Sequence, residues 1–263
     1  MSSVALQGNA SGTGAFVVAS PNSNSNRTLT LPDQTGTLVS GTTTANAVIP
    51  AGTTTLAPIL LTSGTNLTSA TAGAVEYDGK VVYATPLGTQ RGVIPTAQFY
   101  RLNSDLAGAN ATGAQNVFGV SVTLSASTVY EFSMYFILNK TAGTTSHNIS
   151  FGIGGTATYN NLLYGGVWNG TGSAFASGVT SSPATVDANS TSVIQLVSAA
   201  TSAGRYLTMI LNGTLSVNAG GTFTPQYTLS AAPGGAYSTL AGSFIRIAPI
   251  GASGANTSVG TWA

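Results

Sequence analysis

This sequence predicts an all-β fold: an N-terminal extended arm carrying a small β-meander, then a jelly-roll-like antiparallel β-sandwich. Three observations carry that prediction. Charged residues are only 5% of the 263-residue chain, against roughly 25% in ordinary soluble domains. The helix formers Lys and Glu are confined to Glu76, Lys80, Glu131 and Lys140, while Ser, Thr, Asn and Gly fill the polar positions and favour strands and turns. Apolar residues recur in short alternating runs between turn residues, without a helical period.

The same composition bounds the class. With 43% hydrophobic residues and a net charge of +1, the chain has the material for a core and lacks the charge excess of a disordered one. No run of 18 apolar residues occurs, so a membrane-spanning helix is not expected. Near-neutral charge offers no basic patch for phosphates, which argues against a nucleic-acid partner. Cysteine is absent, which removes disulfides and thiolate metal sites. The start, Met1 to Ala5, has no basic segment followed by an apolar one, so synthesis and use without export are expected. A chain this poor in charge is weakly protected against self-association and fits a component of an ordered assembly.

Aromatic residues divide the chain. Residues 1–95 hold Phe16, Tyr77 and Tyr83, and nearly all the others fall within residues 96–249. Aromatic rings supply much of a core's buried area, so the C-terminal part can build its own core and the N-terminal part needs a neighbour. Residues 1–70 read as an arm and linker. Strands are predicted at Phe16–Val18, Thr28–Leu31 and Thr37–Val39, with turns at Pro21–Asn24 and Pro32–Gly36. A meander this small needs another surface to be stable; the alternative is a disordered polar tract. Residues 40–70 lose periodicity.

Residues 71–97 form a connector with a predicted hairpin, Ala74–Tyr77 and Lys80–Tyr83 about an Asp78-Gly79 turn. Residues 98–249 form the head. Its predicted strands are Val120–Leu124, Thr128–Leu138, Asn148–Ile153, Thr156–Leu163, Ser192–Val197, Tyr206–Leu211, Thr214–Val217, Thr222–Leu229 and Ser243–Ala248. Leu106–Phe118 is the one stretch that reads as able to hold a helical turn. Phe132, Phe136, Phe151 and Phe244 are the predicted core aromatics; within Thr128–Leu138 a register shift of one residue exchanges inside for outside. Residues 250–263 read as an extended tail.

Catalytic chemistry finds few candidates. His147 is the single histidine; a surface or turn position is expected, with nothing nearby to complete a triad. No Gly-x-Ser-x-Gly elbow occurs. Gly73 to Gly79-Lys80 superficially resembles a phosphate-binding loop, but the spacing is wrong and Val81 stands where Ser or Thr is needed. Glycoside hydrolysis needs two carboxylates across a cleft. The six acids are Asp33, Glu76, Asp78, Asp105, Glu131 and Asp187; Asp78 suits a turn and Glu76 an exposed strand position. No catalytic, metal or cofactor-binding residue is assigned, no cofactor is expected, and receptor-binding residues are not identified.

Three stretches resemble proteins of tailed bacteriophages. Asn9 to Phe16 with Ser20 to Val39 (SPNSNSNRTLTLPDQTGTLV) is similar to a segment frequent in tail-fibre and appendage proteins. Ala72 to Gly79 (AGAVEYDG) followed by Gln90 to Pro95 (QRGVIP) resembles a connector of the same proteins, especially in marine and cyanobacterial phages, and Asn212 to Gln226 resembles their terminal β domain. The resemblance implies a virion structural protein: a homotrimeric, fibre-like projection on the tail or head with an anchoring arm and a role in host attachment. Implied partners are other copies of the chain, tail, capsid or portal-proximal proteins, and a host surface glycan. A capsid decoration or cement protein is the second expectation, and a carbohydrate-binding module the third.

Overall fold

The computed structural model describes Ile49, residues 51–171, Phe175, residues 184–254 and residues 256–262. The strands predicted between Phe16 and Val39 lie outside the described residues. The chain divides into two units, Met1–Ile59 and Leu60–Ala263, and the second carries all of the regular structure described below. It is all-β; among the described residues there is no helix, and so none long and apolar enough to cross a membrane.

The connector forms a three-stranded antiparallel sheet in the order β1-β2-β3, from Val75–Tyr77, Val82–Ala84 and Gly92–Val93. Glu76 faces Tyr83 and Tyr77 faces Val82, so the turn spans Asp78 to Val81 rather than the predicted two residues. Asp78 decides this: its Oδ1 accepts hydrogen bonds from the Lys80 and Val81 N–H groups, both at 2.8 Å. Gly79 takes a φ of 90°, which a side chain would disfavour. The third strand, two residues long, carries too little pattern to be read from sequence.

The head is a two-layer sandwich. Its larger sheet contains β4 (Gln98–Arg101), β5 (Leu106–Ala107), β8 (Thr128–Lys140), β10 (Tyr159–Thr171), β11 (Ala184–Ala188), β13 (Arg205–Val217), β15 (Ser238–Thr239) and β16 (Phe244–Ala252). The smaller contains β6 (Gln115–Asn116), β7 (Val122–Leu124), β9 (His147–Gly154), β12 (Ile194–Ala200) and β14 (Gly221–Leu229). The order β4-β16-β8-β13 in one layer faces β7-β14-β9-β12 in the other, with the β10-β11 hairpin added beyond β13. From β7 onward successive strands alternate between the layers, except within the pairs β10-β11 and β15-β16, so most pairings join distant segments.

The stretch Leu106–Phe118 holds no helical turn. It supplies the short strands β5 and β6, and the Gln115 side chain bonds the Ala109 backbone N–H and carbonyl and the Ala111 carbonyl. Two predicted strands, Tyr206–Leu211 and Thr214–Val217, are one. Asn212-Gly213 has turn chemistry but pairs in register with Ser133 and Phe132 on one side and with Gly165 and Tyr164 on the other. A Cβ at Gly213 would come within 2.6 Å of the Leu163 carbonyl and the Tyr164 side chain, so glycine is required there by a close approach. Strand β10 likewise runs through Gly165-Gly166 to Thr171, well past the predicted end at Leu163.

Phe132, Phe136 and Phe151 are buried in the shared core. Phe136 stacks on Phe151 across the layers at 5.7 Å between centroids and meets Phe118 edge-on at 6.2 Å; Phe132 packs on Phe223 at 5.2 Å. Phe244 is not a core residue. On β16 the inward positions are Ile245 and Ile247, and Phe244 stands on the opposite face, stacked on Phe99 at 5.7 Å. In the tail, β16 continues to Ala252, and the described residues beyond it hold no strand.

Candidate functional site

The charged residues are few enough to follow individually. In the connector, Glu76 is ion-paired with Arg91 at 2.8 Å and accepts from the Leu67 N–H at 2.6 Å, while Arg91 donates to the Leu67 carbonyl. The expectation of an exposed Glu76 is corrected: the ion pair covers it, and its side chain keeps only 10% exposure. The Leu67 N–H, aided by Arg91, holds the Glu76 carboxyl below its ordinary pKa despite partial desolvation. Burial raises the pKa of Asp78, but the Val81 and Lys80 N–H groups and the Tyr83 hydroxyl outweigh it and leave that carboxyl low. Lys80 reaches the Ala126 carbonyl at 2.9 Å and Thr128 Oγ1 at 3.1 Å, fastening connector to head. Asp105 accepts from the Ala241 N–H at 2.8 Å. Glu76, Asp78 and Asp105 are thus committed to holding backbone, and no group of three or more His, Asp or Glu able to hold a metal occurs among the described residues.

His147, expected at the surface, is 1% exposed. Sequence position alone gave no sign that β9 begins inside the sandwich. Its Nδ1 lies 2.7 Å from the Thr145 carbonyl and its Nε2 lies 2.7 Å from the Tyr237 hydroxyl. A carbonyl only accepts, so Nδ1 carries the proton and Nε2 accepts from Tyr237. Beside it lie two buried cations that the sequence did not single out. Lys140 on β8 and Arg205 on β13 are cross-strand partners. The Lys140 ammonium faces the carbonyls of Ala142, Gly143, Ser202 and Ala203 at 2.6–3.0 Å. The Arg205 guanidinium donates to the carbonyls of His147 and Ser198. No carboxylate partners them among the described residues, so backbone dipoles supply the compensation, joined at Arg205 by the Tyr237 hydroxyl.

Burial, then the Arg205 charge, lowers the Lys140 pKa. Burial also lowers that of His147, reinforced by Arg205 and Lys140 against the opposing Thr145 carbonyl. A histidine with a depressed folded pKa takes up its proton first in the unfolded state, so stability falls as pH drops below the ordinary value of about 6.5. The head should therefore lose stability from about pH 6.5 downward, before the carboxylates of Glu76 and Asp78 begin to protonate. Urea unfolding of the wild type and of His147→Gln across pH 7.5–5 checks this: the slope should flatten in the variant, and an equal slope in both would contradict it.

Three surface features remain. Ile49, Leu56 (70% exposed), Ile59, Leu60 (83% exposed), Leu61 and Leu67 all expose apolar side chains. A cleft of about 430 Å³ opens at one edge of the sandwich, between β4-β16 and β7-β14, where Phe118, Phe223, Ile245 and Ile247 line the floor and Phe99 and Val120 the rim. The third feature is the outer face of the larger sheet. Cross-strand register aligns Val167, Ile210, Tyr135, Phe244 and Arg101 in one row, and Asp187, Gly165, Asn212, Ser133, Arg246 and Phe99 in the next. Glu131 sits one row further along β8, its Oε1 3.8 Å from the Arg246 guanidinium. A shallow depression of about 380 Å³ lies over Glu131, Ser133, Asn212, Gly213 and Arg246.

Comparison with known proteins adds little. No family model matches the chain, and no curated protein matches it. A search of solved structures returns the structure of infectious bursal disease virus Gt strain, at 12% identity and a TM-score of 0.16 over 72% of this chain. The match covers 50% of that chain, and a likeness at this level carries no argument about function.

Proposed function

We propose that this chain is a non-enzymatic structural component of a bacteriophage particle, a homotrimeric fibre-like projection whose sandwich is the outward head and whose N-terminal arm is the anchor. One observation carries the assembly part: the exposed apolar side chains from Ile49 to Leu67, in a segment without a single charged residue. An apolar run this long, with no charge to keep copies apart, is stable in water only when a neighbour covers it. The free edges of β4 and β7 beside the apolar cleft ask for the same cover, and closed symmetry supplies it without leaving strand edges open. The jelly-roll reading of the head rests on the strand order and suits it to packing beside copies of itself. The three-fold number and the placement on a phage particle rest on the resemblance of residues 9–39, 72–95 and 212–226.

Light scattering on the full-length protein tests the assembly. A trimer is expected; a stable monomer of 26.2 kDa at micromolar concentration overturns it, and a dimer overturns the three-fold part alone. Electron microscopy of virions carrying a labelled copy tests the placement: label on tail or head projections is expected, label flat on the capsid lattice would favour decoration, and particles without label would overturn both.

A further inference from the structure

We propose that the outer face of the larger sheet is a binding site for a neutral glycan, centred on Arg246, Glu131 and Asn212; this deepens the reading of the head as an outward-facing projection. The inference begins from where the charges are spent. Among the described residues, Glu76, Asp78, Lys80, Arg91 and Asp105 hold backbone or each other, and Lys140 and Arg205 are buried on carbonyls. Arg101 donates to the Asn103 Oδ1 at 2.5 Å, the groups left over are Glu131, Asp187 and Arg246, and strand register puts all four on this one face. In a chain with only 5% charged residues, that concentration calls for a partner.

The chemistry of the face selects the partner's class. Arg246 and Glu131 stand 3.8 Å apart and are each about half exposed, too loose to satisfy one another and free to donate and accept. Asn212 and Ser133 lie in the same row, and the Asp187 carboxylate occupies the space above Gly165, where a side chain would collide with it. Alongside runs the apolar row Val167, Ile210, Tyr135 and Phe244, with Phe99 stacked on Phe244. A ligand matching both rows needs an apolar face bordered by hydroxyls that donate and accept, which is a pyranose ring. Two carboxylates and two guanidiniums leave the face without net charge, so an acidic polysaccharide gains nothing from Arg246 that Glu131 and Asp187 do not take back. Rows that cross the strands let successive sugars lie side by side, and trimerisation would strengthen each weak contact.

The test applies full-length protein to a microarray of neutral and acidic glycans and follows the best binder by calorimetry. Binding to one or more neutral glycans is expected, weakened about tenfold or more by Arg246→Ala and by Glu131→Gln, with Ser192→Ala as the distant control. Both variants keep the wild-type melting temperature, since their side chains are exposed. Three results would overturn the proposal: no neutral glycan bound at all, binding that neither variant weakens, or selective binding of acidic glycans. A fourth is dissociation of the oligomer by Arg246→Ala, which would make the face a contact between copies. Because the titration uses purified protein, its failure leaves the proposed place in the particle standing, and a failed virion label leaves the glycan site standing.

Discussion

Lys140→Ala should destabilise the head by about 3–5 kcal/mol, because it leaves several buried carbonyls without a donor, each costing roughly 1–3 kcal/mol. The ammonium sits among four carbonyls, two from the crossing between β8 and β9 and two from the turn between β12 and β13. Hydrogen bonds to a charged group contribute roughly 1.5–3 kcal/mol each, and a lysine has three protons to share, so the losses do not simply add. Lys140→Met separates the causes: it retains an unbranched stem and removes the charge. If the carbonyls dominate, Met recovers little. Urea denaturation with an unchanged m-value measures the loss. A change below about 1 kcal/mol would mean that water replaces the ammonium, and the view of Lys140 as the clamp of this end of the sandwich would be abandoned.

Phe136→Ala should cost a similar amount, about 3–5 kcal/mol, while Phe244→Ala costs about 1 kcal/mol or less. The two residues look alike in sequence. Phe136 is fully buried, with Phe151 stacked on it from the other layer and Phe118 against its edge. Its removal leaves a cavity that two sheets held by long ladders cannot collapse. Phe244 touches Phe99 and Tyr135 on the solvent side, so truncation removes surface contact and opens no cavity. Comparable losses for the pair, by urea midpoint or melting temperature, would contradict the face assignment of β16.

The long strands were legible because their alternation is strong. Thr128–Lys140 places Tyr130, Phe132, Met134, Phe136 and Leu138 on one face, and no other period fits that spacing. Phe244 was misplaced because Phe244, Ile245 and Ile247 are all apolar, and period two does not say which set points inward. The division at Asn212-Gly213 was misread because Asn-Gly is chemically a turn; only the strands on both sides, each close enough to exclude a Cβ, keep it extended. His147 was read by residue type, which places it at the surface, and Lys140 was not singled out at all. Their burial depends on carbonyls that sequence cannot bring together. On the outer face each row draws one residue from each strand it crosses, so Arg246, Asn212 and Asp187 show no common motif.

Composition and local pattern were enough to establish that this chain is all-β, that the aromatic-rich C-terminal part holds a core, and that the connector turns after Tyr77. These are local properties: composition, alternation and turn chemistry act over a few residues and need no partner to express them. Folding settles which strands are neighbours, which aromatic face is inside, where the buried cations find their acceptors, and that Arg101, Glu131, Asp187 and Arg246 share one surface. Those outcomes depend on pairing between residues that lie far apart in the chain, as Arg246 meets Ser133 and Ser133 in turn meets Asn212. Register across a sheet is fixed by the sum of many such contacts at once, a quantity that no single stretch of sequence contains.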